Sequence, residues 1–83
     1  MRIDKYLKVS RLIKRRTVAN EACIAGRISV NGKVVKPSYE VKIGDIISLR
    51  FGDRELNIEV LALKEHVSKD EAGAMYCEAL PRN

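Results

Sequence analysis

The chain has 83 residues, 46% of them apolar and 33% charged, which suits one small folded domain and excludes a disordered chain. No apolar run approaches the roughly 20 residues of a membrane span, and no apolar stretch follows the charged N-terminus as in a secretory signal. A cytoplasmic protein with no membrane partner is therefore expected. The net charge of +5 is unevenly spread, with seven basic and one acidic side chain in residues 1–16 but four basic and seven acidic in residues 53–83. Such polarity is an electrostatic footprint for a polyanion.

Taken in order, residues 3–10 predict a short helix with Ile3, Tyr6, Leu7 and Ser10 on one face and Arg2, Lys5 and Lys8 on the opposite side. Asp4 suits the positive end of that helix and has the i+4 spacing for an ion pair with Lys8. Leu12 and Ile13 supply apolar anchors before the basic cluster Lys14-Arg15-Arg16. Thr17 is the expected cap of a second helix running to about Ala25, with Val18, Ala19, Ala22 and Cys23 as a stripe of small side chains. Gly26 is placed to stop it in the left-handed conformation.

Beyond Gly26 the period becomes alternating. Ile28-Ser29-Val30, Asn31-Gly32 and Lys33-Val34-Val35 predict a hairpin closed by a type I′ turn, and Pro37 ends it. Residues 41–45 read as a short extended piece closing in a glycine turn. Residues 46–51 and 55–63 read as strands joined at Gly52-Asp53, with Leu56, Ile58 and Val60 on one face. Ser68-Lys69-Asp70-Glu71 matches a capping box and predicts a helix to about Glu78, presenting Ala72, Met75, Tyr76 and Ala79, with Pro81 as its stop. The expected fold is α+β: two short N-terminal helices packed on a small, mostly antiparallel sheet, with a C-terminal helix docked on it.

Catalytic chemistry finds little support. The only histidine, His66, follows a strand as a solvated loop residue, and no carboxylate pair or phosphate-cradling glycine loop appears. Cys23 and Cys77 lie in unrelated segments without metal-ligand spacing and read as reduced small hydrophobes. The sequence points to a binding protein with no cofactor, no metal and no small-molecule substrate.

The basic front carries the functional signal. Its cations recur at helical spacing and end at the start of the second helix, where backbone N–H groups and guanidinium forks suit a phosphate. A membrane surface would need large apolar residues exposed opposite the cations, whereas Ile3 and Leu7 are needed for the core. The second helix is short for reading a DNA groove, and Tyr6, Tyr39, Phe51 and Tyr76 are few aromatics for stacking single strands. A rigid surface recognising folded RNA by shape and phosphate position fits best.

Arg2-Ile3-Asp4-Lys5-Tyr6-Leu7, Arg11, Lys14-Arg15-Arg16-Thr17, Gly26, Val30-Asn31-Gly32, Lys36-Pro37, Val41 and Gly44-Asp45 together resemble the RNA-binding domain named after ribosomal small-subunit protein four. The resemblance covers about residues 1–51. It implies an RNA surface formed by Arg2, Lys5, Lys8, Arg11, Lys14, Arg15 and Arg16, with Thr17 as cap and phosphate contact and with Asn31, Gly32 and Lys33 bordering it. Arg2 and Arg16 are implicated most. Residues 1–66 are then expected to form the RNA-binding domain and 67–83 a helical tail. Among stand-alone relatives, the opening resembles a short Gram-positive subfamily more than the heat-shock form with its long basic extension. By that resemblance the protein associates with large-subunit rRNA and peptidyl-tRNA in rescue of stalled ribosomes, supporting alanine tailing beside a quality-control protein partner. A general ribosomal RNA binder, or an interaction module acting through the acidic tail, are the alternatives.

Overall fold

The computed structural model describes residues 1–79, which form α1 (Ile3–Val9), α2 (Arg16–Ile24), β1 (Ile28–Val30), β2 (Lys33–Val34), β3 (Ile46–Phe51), β4 (Arg54–Val60), α3 (Lys69–Ala72), a 3₁₀ turn (Gly73–Met75) and β5 (Tyr76–Glu78). The strands pair antiparallel in the order β2-β1-β3-β4-β5. The α+β class and the two N-terminal helices on a small sheet are as the sequence predicts.

The core follows from the two periodicities. Ile3, Tyr6 and Leu7 come from α1 and Ala19, Ala22 and Cys23 from α2; they meet Ile28, Val30, Ile47, Leu49, Ile58 and Val60 of the sheet. Small residues on α2 let the helix lie close to its neighbours. Burial pushes the Cys23 thiol up to about 11, with the Asp4 charge adding to it, so this cysteine is a core hydrophobe. Cys77, by contrast, is exposed, and both are free.

Two turns depend on backbone geometry that the sequence made visible. After α2, Gly26 at φ 76° accepts the left-handed conformation, with its N–H donating to Cys23 O and Arg27 N–H to Ala22 O. Asn31 at φ 50° and Gly32 at φ 88° form the type I′ turn, with Val30 opposite Lys33.

The C-terminal region departs from expectation. Ser68 and Glu71 do form the reciprocal capping box, Ser68 Oγ accepting from Glu71 N–H at 3.2 Å, but α3 lasts one turn. The chain then passes through the 3₁₀ turn, buries Met75 and adds β5 to the edge of β4, Val60 opposite Tyr76 and Ile58 opposite Glu78. A capping box settles where a helix starts and has no say in its length. The open edge of β4 competes for the following backbone, and Tyr76 prefers a strand. The expected stop, Pro81, lies outside the described residues. For the same reason β4 ends at Val60 rather than 63: Leu61 N–H turns away to Met75 O. Residues 41–45 form no strand; Glu40 makes an isolated bridge with Arg2, and Gly44 at φ 93° closes the turn.

The tail is fastened from inside. Tyr6 is fully buried, and its hydroxyl donates to Met75 O at 2.8 Å, joining α1 to a residue 69 positions away. Burial raises the Tyr6 pKa well above the ordinary phenol range, with Tyr76 and Cys77 adding to it, so it stays a donor at all physiological pH. Tyr6→Phe should keep the fold but cost about 1 kcal/mol, because Met75 O retains the Leu61 N–H. Thermal denaturation should show this as a midpoint lower by about 4–8 °C.

Candidate nucleic-acid interface

α1 and α2 differ in how their N-termini are satisfied. Ile3 N–H donates to Tyr39 O, Asp4 N–H to Pro37 O and Lys5 N–H to Asp4 Oδ1, so the first turn of α1 is docked on the protein. α2 begins after Arg15, which makes no side-chain capping bond. The amides of Arg16, Thr17 and Val18 have no protein acceptor among the described residues. Thr17 is thus not the cap but the second residue of the helix. The reason is that Arg15 is already extended (φ −124°, ψ 136°) and Ala19 N–H bonds back to Arg15 O.

Asp4 stands at the junction of the two helices. Its carboxylate is almost wholly buried, yet it accepts from Lys5 N–H at 2.7 Å and from Asn20 Nδ2 at 3.3 Å. It also pairs with Arg2 at 3.1 Å and Arg16 at 3.3 Å. Instead of the expected partner Lys8, Asp4 takes one arginine from each side of the helix junction. Burial alone would raise its pKa; the bonds from Asn20 and Arg16, the Arg16 charge and Lys5 N–H outweigh this, and the net result is a lowered value. Each arginine side chain remains 47% exposed, so one edge of each guanidinium is tethered while other donors stay open to a ligand. Together with Thr17, Asn20 and Glu21 they line a shallow depression over the start of α2.

The remaining cations are divided. Lys8, Arg11 and Lys14 line a second groove at the far end of α1, across from His66 and Lys69. Lys5 is held by Glu65, whose carboxyl the Lys5 ammonium keeps below the ordinary range. Arg15 is exposed and lines neither groove. Nor do Asn31 and Lys33. The Asn31 side chain donates to Asp45 Oδ1 at 3.2 Å and accepts from Ile46 N–H at 3.1 Å, which ties the hairpin to β3. Sequence reasoning missed Asn20, whose signal is its i+4 spacing from Arg16, and the groove wall at His66 and Lys69, which no local pattern announces. Among the described residues no cluster of His, Cys, Asp or Glu suits a metal, and no helix is long and apolar enough to cross a membrane.

Comparison with known proteins places this geometry in context. A family model described as S4 domain matches residues 1–47, which include both helices and the Asp4 junction. The RQC P-site tRNA stabilizing factor of Halalkalibacterium halodurans is 54% identical over 76 residues, 92% of this chain and 86% of that protein. The protein of the same name from Bacillus subtilis is 53% identical over 92% of this chain and 88% of its own. Among solved structures, Heat Shock Protein 15 of Vibrio cholerae matches with TM-score 0.88 and 34% identity, covering 95% of this chain and 81% of that one.

Because the Asp4 pKa is lowered in the fold, the stability it contributes is present above its unfolded value of about 3.9 and lost as pH falls through the folded one. Asp4→Asn should therefore lower stability at pH 7 by about 1–2 kcal/mol, a figure held down by the exposure of the arginines. The gap between the variant and the parent should narrow below about pH 4, as denaturant titrations at several pH values would show. Arg11, a non-glycine residue at φ 63°, supplies a second expectation. Arg11→Gly should raise stability by up to about 1 kcal/mol in the same titration, the relief of left-handed strain exceeding the entropic cost of glycine.

Proposed function

Because this chain belongs to the S4 domain family, and within it to the group of the RQC P-site tRNA stabilizing factors, we propose that it is a non-enzymatic RNA-binding factor that holds peptidyl-tRNA on the obstructed large ribosomal subunit. The observation that carries this reading is the Arg2–Asp4–Arg16 junction. Two guanidiniums, one before α1 and one at the start of α2, are oriented by one buried carboxylate, beside helix amides that lack an acceptor among the described residues. Phosphates are recognised well by such forks and amides together, and guanidinium planes also stack on unpaired bases. A rigid, half-exposed pair loses little side-chain freedom on binding, so it fixes register as well as adding affinity.

In this reading large-subunit rRNA and the tRNA are both ligands, and a quality-control protein acts on the same subunit to extend the nascent chain with alanine. Its setting is the cytoplasm. The small size of the domain and its two separate concavities, one at the Arg2–Asp4–Arg16 junction and one lined by Lys8, Arg11, Lys14 and Lys69, favour a bridging role over chemistry at a closed pocket.

Charge reversal at Arg2 or at Arg16 should abolish co-sedimentation with large subunits carrying peptidyl-tRNA. Because each removes a partner of Asp4, it should also lower the thermal midpoint, so binding is read below that midpoint on folded protein; retention by both variants would remove the assignment. With about six phosphates engaged, the logarithm of affinity should fall by about 4–5 per tenfold rise in salt. Asp4→Asn makes a sharper test of orientation. It raises the net charge by one, so bulk electrostatics predicts tighter binding, whereas loss of the tether predicts weaker binding, the result expected here.

A further inference from the structure

We propose that the groove between the end of α1 and residues 64–69 is a second RNA-phosphate site, separate from the Arg2–Arg16 junction and completed by His66 and Lys69 from the acidic third of the chain. This inference rests on the reading of the protein as an RNA binder and adds where and with what a second stretch of RNA backbone is held. One wall is Lys8, Arg11 and Lys14, the other His66 and Lys69, and Glu65 lies at its edge, the whole enclosing about 550 Å³. The groove shares no residue with the depression at Arg2 and Arg16. It lies at the other end of α1, roughly 10 Å along the helix axis for seven residues.

Three observations point to a phosphate there. First, Lys8, Arg11, Lys14 and Lys69 make no ion pair among the described residues, whereas the one acid of the lining, Glu65, is neutralised by Lys5. Four uncompensated cations around one concavity repel each other, and an anion relieves that repulsion. Second, Arg11 holds a left-handed backbone, which costs a non-glycine residue about 1–2 kcal/mol. The turn itself is made by backbone bonds, Arg11 N–H to Lys8 O at 3.0 Å and Ile13 N–H to Leu7 O at 3.0 Å, and needs no arginine. Strain retained at a guanidinium facing a groove reads as a binding feature. Third, neither acid that follows Lys69 lines the groove: Asp70 and Glu71 both lie outside it, Glu71 being committed to the Ser68 capping box and 4.0 Å from Lys64. The ammonium of Lys69 and an imidazole N–H of His66 are the donors this wall offers.

The test uses the whole chain and purified large subunits, with and without peptidyl-tRNA, at several salt concentrations. The double variant His66→Ala/Lys69→Glu should bind about tenfold more weakly and show a salt slope smaller by about 1. Loss confined to occupied subunits assigns the groove to tRNA, and equal loss on both assigns it to rRNA; either supports the proposal. Parental affinity and slope in the double variant, with Arg2→Glu still abolishing binding, would overturn the second site and leave the proposed function standing. If Arg2→Glu and Arg16→Glu also bind normally, it is the function that fails. Should the double variant not fold, Glu65→Gln serves instead. It removes the one acid of the lining and should tighten binding several-fold, and unchanged or weaker binding would overturn the inference.

Discussion

A carboxylate taken out of water must be given donors and positive charge, or it destabilises the fold by several kcal/mol. Asp4 imposes that requirement at the place where α1, α2 and the entering chain meet. Asn20 and the Lys5 amide satisfy part of it, and Arg2 and Arg16 supply the charge. The consequence reaches beyond stability. Two arginines at helix starts, half-exposed, would ordinarily sample many rotamers, and each would lose that freedom on meeting a ligand. Tethered by one shared acid, both are already held in the free protein. In the proposed interface a negative charge inside a basic surface would therefore serve binding, because it converts two loose cations into a fixed pair.

The second constraint is the edge of β4. An open strand edge bordering a half-built core invites pairing, and β5 fills it with residues whose local pattern suggested helix. That pairing buries Met75 under Tyr6 and carries the preceding segment across the end of α1, where Glu65 meets Lys5. The C-terminal third is acidic in sum, yet the part brought to the groove presents His66 and Lys69. Regional charge totals thus mislead about surfaces, since sequence blocks and faces of a folded domain do not coincide. Of the acids of the tail, Glu71 is committed to its capping box and Glu65 to Lys5.

How much was legible in the sequence follows the range of each interaction. The α1 face, the Gly26 stop, the Asn31-Gly32 turn and the capping box are set by residues within a few positions of one another and stand as read. Val18, expected in the apolar stripe of α2, is instead exposed, and only Ala19, Ala22 and Cys23 of that stripe are buried. Tyr76 and Cys77 could not be read as strand because their partners are on β4, some twenty residues back. The cations of the site were legible as a list but not as two groups. Helical spacing put Asp4 opposite Lys8, whereas burial of the Asp4 carboxylate selects the residues that reach it from two elements, Arg2 and Arg16. Asn31 is expected from its motif to border the RNA surface, and its hydrogen bonds to Asp45 and Ile46 give it a structural duty that the motif does not announce.

Left-handed backbone positions separate what the fold needs from what it carries for another purpose. Gly26, Gly32, Gly44 and Gly52 fill four of them, as sterics favour. Asn31 fills a fifth, where its amide binds Asp45 and the β3 backbone and thereby compensates the strain within the protein. Arg11 fills a sixth with a side chain that makes no ion pair among the described residues. No side-chain ion pair among the described residues is set against its cost, and a glycine would relieve it. At the proposed second site, an anion beside Lys8, Lys14 and Lys69 would give that guanidinium the ion-pair partner it lacks among the described residues.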